Sequence, residues 1–144
     1  MYTILLAVDG GPGSLGATDH VVRLLHTGMK ADLHVLNVQI PVDSGHVRLF
    51  VEPERIEAYY REEGLAALAP ACQVLDTAGL AYHRHLAVGH VAETIAHYAQ
   101  KIPADQIVLG AKRGESLRHM LLGSVARDVA EQTRVPVTFA PARG

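Results

Sequence analysis

Thr3-Ile4-Leu5-Leu6-Ala7-Val8, followed at once by Asp9-Gly10-Gly11-Pro12-Gly13, is the stretch that decides the fold. A short, almost wholly apolar run with β-branched members, cut off by turn residues, reads as a strand buried on both faces. From Ser14 to Gly28 the apolar residues Leu15, Val21, Val22, Leu24 and Leu25 recur at helical spacing, and Gly28 suits a helix end. Leu33-His34-Val35-Leu36-Asn37-Val38 is a second strand. Strand, helix and strand in this order make a parallel crossover unit.

The same alternation runs on toward the C-terminus. Residues 40–52 read as a connecting excursion with Pro41 and Gly45. Pro53 opens a long helix with Ile56, Tyr60, Leu68, Cys72 and Leu75 near one face, stopping by Gly79. Tyr82 to Val88 is a third strand, Val91 to Gln100 a helix, and Gln106 to Leu109 a fourth strand. A glycine-bearing loop from Gly110 to Gly123 leads into a helix from Ser124 to about Thr133, and Val135 to Phe139 is the last strand. The expectation is one α/β domain, residues 1–144, with a parallel sheet covered on both faces. Ligands of such sheets bind beyond the carboxyl ends of the strands, here Asp9, Val38, Gly89 and Gly110.

Composition narrows the function classes. The chain has 144 residues, 49% apolar and 19% charged, which excludes intrinsic disorder. No apolar run approaches the roughly 18 residues of a membrane span. The net charge of −2 argues against a nucleic-acid-binding surface. The single cysteine, Cys72, fits a reducing compartment, and the N-terminus lacks the pattern of a signal peptide, so a soluble cytoplasmic protein is expected.

Two glycine-bearing segments are candidates for phosphate. Gly11-Pro12-Gly13-Ser14-Leu15-Gly16 fits the dinucleotide fingerprint as a pattern. Asp9 would oppose a pyrophosphate there, the second strand ends Asn37-Val38-Gln39 without an acid for a ribose hydroxyl, and the register is late, so a glycine-rich turn is the better reading. The segment Gly110 to Ser124 brings glycines, three cations (Lys112, Arg113, Arg118) against one Glu115, and a serine at a helix start. Free amides and a positive dipole end at that helix suit a di- or triphosphate.

Leu121-Leu122-Gly123-Ser124-Val125-Ala126 resembles the universal stress protein family, whose nucleotide-binding members carry G-x2-G-x9-G-(S/T) between the fourth strand and the last helix. Ile4 to Gly10, Leu33 to Val38, Asp105 to Gly110 and Val135-Pro136-Val137 resemble it too, so the resemblance covers essentially the whole chain. It implies an open, Rossmann-like, five-stranded parallel sheet of order 3-2-1-4-5. It also implies an adenine nucleotide, ATP with or without Mg2+, as ligand. Asp9 would then accept from the adenine amine, the Val38 backbone would bond the ring edge beside Ala7 and Val8, and Leu109 and Gly110 would lie near the ribose. The amides of Gly123, Ser124 and Val125 would hold the phosphates. One position departs: Arg113 stands where the family has its second glycine. Arg113 would either block phosphate or reach it with its guanidinium. The alternative function is therefore an interaction protein of the same fold that binds no nucleotide.

Other features weigh less. His83 and His85 share a strand face and His90 follows, but a metal would need a third ligand, so none is expected. Cys72 reads as a small core residue and Tyr59-Tyr60 as packing. No catalytic residues are assigned; slow ATP hydrolysis is left open, as are a histidine-bearing enzyme, because triads are spatial rather than sequential, and a dinucleotide enzyme using the early glycines. Val135, Val137 and Phe139 are expected to alternate outward on an edge strand, and the resemblance implies that final strands pair across a two-fold axis, giving a homodimer.

Overall fold

The computed structural model describes residues 1–42, 52–111 and 124–143. Strand β1 (Tyr2–Ala7) is apolar throughout because it is covered throughout: every residue after Tyr2 is buried. It pairs in parallel with β2 (Ala31–Gln39) on one side and β4 (Gln106–Gly110) on the other. Strand β3 (His83–Val88) extends the sheet beyond β2, and β5 (Val137–Ala140) extends it beyond β4. The order is 3-2-1-4-5, as the resemblance implies. Helices α1 (Pro12–His26), α2 (Pro53–Thr77), α3 (Val91–Lys101) and α4 (Ser124–Gln132) make the crossovers.

The pleat sorts the strand residues into two cores. Ile4, Leu6 and Val35 face α1 and α2, where they meet Val21, Leu68 and Leu75. Leu5, Leu36 and Ile107 face α3 and α4, where they meet Ile95 and Val129. Each fully buried side chain of this size contributes about 1.5–3 kcal/mol, so neither layer is dispensable. Cys72 is buried in the first core, as its position on the α2 pattern implies. No helix among the described residues is long and apolar enough to cross a membrane.

Three expectations need correction. Helix α1 starts at Pro12 rather than Ser14, because a proline in the first turn lacks only an N–H that the helix could not use. Strand β5 starts at Val137 rather than Val135: Pro136 has no amide to give, though its carbonyl accepts the Ile107 N–H at 2.9 Å. Val135, Val137 and Phe139 do not point outward. They are half-buried against the α3–α4 core, because α4 covers that face of the edge strand.

Candidate functional site

The sheet order reverses between β1 and β4, so their following segments part and leave a cleft at the carboxyl ends. Backbone packing sets its floor. A Cβ on Gly110 would overlap the Gly13 carbonyl, and one on Gly16 would overlap the Pro141 carbonyl. Gly16 of the early G-x-G-x-x-G pattern thus lets α1 approach the segment after β5, and Gly110 lets β4 approach the start of α1 at Gly13. Packing explains Gly16, the last glycine of the pattern.

Asp9 lies just past β1, after Val8, and is exposed. Its Oδ1 accepts the Gly11 N–H at 2.8 Å and the Ser14 hydroxyl at 2.7 Å, while its own N–H donates to Ser14 Oγ at 2.8 Å. One carboxylate oxygen is therefore spent on the turn. Among the described residues no hydrogen bond engages Oδ2, so an acceptor remains at the cleft.

Val38 comes to the cleft through strand alternation. The Leu36 carbonyl accepts the Val8 N–H, and the Gln39 carbonyl accepts the Gly89 N–H. Even-numbered β2 residues thus turn their backbone toward β1, and odd ones toward β3. At Val38, β1 has already ended. The Val8 carbonyl, which would meet the Val38 amide, instead accepts Asn37 Nδ2 at 2.8 Å. The Val38 N–H and C=O are left facing the opening. Asn37 is only 3% exposed, and its Oδ1 accepts Gln39 Nε2 at 2.7 Å. It is a buried clamp between the ends of β1 and β2.

A cavity of about 350 Å³ joins these groups. Ala7, Val8, Asp9, Val38, Leu109, Gly110, Ser124 and Val125, all singled out from the sequence, line it together. Arg113 and Gly123 lie outside the described residues. Ser124, Val125 and Ala126, the first three residues of α4, border the cavity, and the positive end of a helix dipole lies at its first turn. The sequence reading missed Ser14, Leu36, Ile40, Val91, Ile95 and Ala126, which complete the lining. Helical spacing did place Ile95 inside α3. Ile40, 70% exposed just past β2, carried no signal beyond its position after a strand. Asp9 is the one ionisable side chain on this lining among the described residues.

Residues 1–141 match the sequence model of the universal stress protein family. The chain belongs to that family. A universal stress protein of Methanocaldococcus jannaschii is 31% identical over 136 residues, covering 93% of this chain and 78% of that one. The crystal structure of a universal stress protein family member from Burkholderia pseudomallei is 28% identical, with a TM-score of 0.72 over 97% of this chain and 96% of that chain. An Arabidopsis thaliana family member, solved with AMP bound, shares the fold at a TM-score of 0.72 and 15% identity, covering all of this chain and 94% of that chain.

This universal stress protein also carries a polar cluster on the same sheet face, nearer the start of β2. Asp32 Oδ2 lies 3.2 Å from His34 Nε2, and Asp32 Oδ1 lies 3.2 Å from His83 Nε2. His34 Nδ1 lies 2.8 Å from His85 Nε2. The hydrogen bond from His34, and the positive character of both imidazoles, hold the Asp32 carboxyl below the usual carboxylate range. Partial burial, then repulsion from His34 and His83, push His85 below the ordinary histidine value. The sequence reading of His83 and His85 did not include Asp32 and His34, the residues that join them here. Asp32 and His34 come from β2, through the register that sets His34 beside His83.

Proposed function

We propose that this universal stress protein binds an adenine nucleotide, foremost ATP with or without Mg2+, and works as a dimeric, nucleotide-responsive signalling or protective module in the cytoplasm. One observation carries the reading: hydrogen-bonding groups suited to a purine edge and a helix N-terminus suited to an anion border the same cavity. Its volume lies within the usual range for small-molecule sites, roughly 300–1,000 Å³.

The chemistry divides the cavity. Ala7, Val38, Val91, Ile95 and Leu109 supply apolar walls for a flat base. Asp9 Oδ2 would accept the exocyclic amine, and the Val38 N–H and C=O would meet the ring edge. A carboxylate repels phosphate, so the anion belongs at the other end, on the Ser124 and Val125 amides and the Ser124 hydroxyl. Gly123 would add a third amide. Gly110 lies between the two ends, where a ribose would pass. The AMP-bound Arabidopsis relative supports this ligand class. With Asp9 committed to the base, no general base is assigned at the phosphate end, so turnover would be slow.

Pairing of two copies through β5 fits its place at the sheet edge. Pro136 and Ala140 both accept from the β4 side, so alternation turns the backbone groups of Val137 and Phe139 to the open edge. Pro136 aims its missing donor inward, and the edge loses nothing by it.

Calorimetry with Mg-ATP tests the ligand. Saturable heat, stronger than with NADH, is expected. If the native chain gives no heat at millimolar Mg-ATP but Arg113→Gly does, the alternative holds: an interaction protein whose pocket the arginine closes. Sedimentation as a monomer at micromolar concentration would remove the β5 dimer.

A further inference from the structure

Strand register, rather than sequence proximity, gathers the second cluster. Asp32 and His34 lie two residues apart on β2 and share a face. His34 is the direct partner of His83 on β3, and Leu36 is the partner of His85. One ligand-type atom from each of Asp32, His34 and His83 lies within 4.8 Å of the others. The Asp32 carboxylate stands between the two imidazoles, Oδ2 3.2 Å from His34 Nε2 and Oδ1 3.2 Å from His83 Nε2, and the two rings are stacked with centroids 4.7 Å apart, so ring rotation about the side-chain bonds would bring both Nε2 atoms onto one ion at zinc bond lengths of about 2.0–2.1 Å. Two imidazoles and one carboxylate are a common three-residue zinc set, with a fourth place left for water.

The surroundings also fit. A histidine that binds a metal through Nε2 must carry its proton on Nδ1 and usually donates it to an acceptor behind. His34 Nδ1 has such a partner in His85 Nε2, 2.8 Å away. His85 is itself half-buried and meets the Tyr98 ring edge-on at 5.6 Å, which fixes its plane. The side chains of Asp32 and His83 are 44% and 61% exposed, so an ion has access from solvent.

We propose that Asp32, His34 and His83 bind a divalent transition-metal ion of the zinc class across β2 and β3, with His85 as the positioning residue that holds His34 in its ligating tautomer. This site rests on no part of the nucleotide reading. It would clip edge strand β3 to the interior of the sheet.

Without metal, His34 and His83 donate their Nε2 protons to Asp32. With zinc, both Nε2 atoms become ligands, and the His34 proton must sit on Nδ1. The direction of the His34–His85 hydrogen bond is then fixed from His34 to His85. Proton tautomers give the site a signature that a merely structural cluster would not show.

The test uses the full, untagged chain, stripped with a chelator and titrated with ZnCl2 against a chromophoric competitor. One zinc per chain is expected, with affinity falling at least about tenfold in His83→Ala and in His34→Ala. His85→Phe should weaken binding by about ten- to a hundredfold while the metal-free melting temperature stays near that of the native chain. Nitrogen-15 spectra of the native protein should show His34 and His83 Nε2 shifting on zinc addition and His34 protonated at Nδ1. Three results would overturn the site: no saturable binding at one equivalent, unchanged affinity in both histidine-to-alanine variants, or native spectra in which those Nε2 signals do not move.

Discussion

The cavity beyond β1 and β4 and the histidine cluster on β2 and β3 lie on one face of one sheet, yet they are built in opposite ways. The cavity is shaped by backbone: glycines that let α1 close on β4, a strand that ends before its neighbour, a helix that begins at the rim. The cluster is shaped by side chains across a strand pair whose backbone is regular. A site made by the main chain fails when the fold is forced apart. A site made by side chains is lost one residue at a time.

The sharpest way to break the contrast is to fill a glycine. Gly110→Val puts side-chain atoms where the Gly13 carbonyl lies, against backbone rather than the end of a flexible side chain. The expected loss is at least about 3 kcal/mol, the upper part of the overpacking range, read by urea denaturation. His83→Ala, by contrast, should leave the metal-free denaturation midpoint close to native, because His83 is exposed at the sheet edge. Equal losses in the two variants would mean that the cluster also is part of the scaffold.

Asp9→Ala is the next largest effect. A hydrogen bond to a charged acceptor is worth about 1.5–3 kcal/mol, so ATP affinity should fall by about ten- to a hundredfold in calorimetry. Ser14 and Gly11 also lose their acceptor, so Ser14→Ala serves as the control: it disturbs the turn without touching Oδ2. If Ser14→Ala weakens ATP as much as Asp9→Ala does, Asp9 acts by shaping the turn and not by contacting the base. Zinc affinity should be unchanged in both variants.

Asn37 offers a third comparison. Asn37→Ala strands the buried Val8 carbonyl, at a cost of about 1–3 kcal/mol in thermal or urea unfolding. With the clamp gone, the ends of β1 and β2 that border the cavity are held less firmly, so nucleotide binding should weaken along with stability. A variant that loses stability but binds ATP normally would show that the Val38 edge does not meet the ligand.

Why one site was legible and the other was not follows from these same residues. Asp9, Gly110 and Ser124 each stand next to a turn or helix signal, and strand ends in a doubly wound sheet converge whatever the exact pairing. The strands themselves announced their burial, because Ile4, Leu5 and Leu6 are apolar on both faces. The cluster depends on which residue of β3 lies opposite His34, and a slip of one residue would turn His83 to the other face. Nothing local in the chain fixes that register. The facing of Val137 and Phe139 was misjudged for a related reason: alternation gives two faces, but only the position of α4 says which one is covered. Asn37 was read as a missing acid, whereas its amide closes the gap between two strand ends.

The smallest expected effect is the coupling between the two sites. His34 and Val38 are four residues apart on β2, about 13 Å at the rise of a strand. Sites separated by more than about 7–10 Å, with no shared partner, usually act independently within about 0.3–0.5 kcal/mol, or about twofold in affinity. Between them β2 is paired on both sides, to β1 through Leu36 and to β3 from His34 to Gln39, so it has no second arrangement to shift into. Zinc-loaded and zinc-free protein should therefore bind ATP with affinities that agree within about twofold, and linkage requires the same factor for zinc with and without ATP. A change of tenfold or more, seen in both titrations, would mean that the carboxyl end of β2 moves when its start is clipped, and Val38 would be the residue through which the movement reaches the cavity.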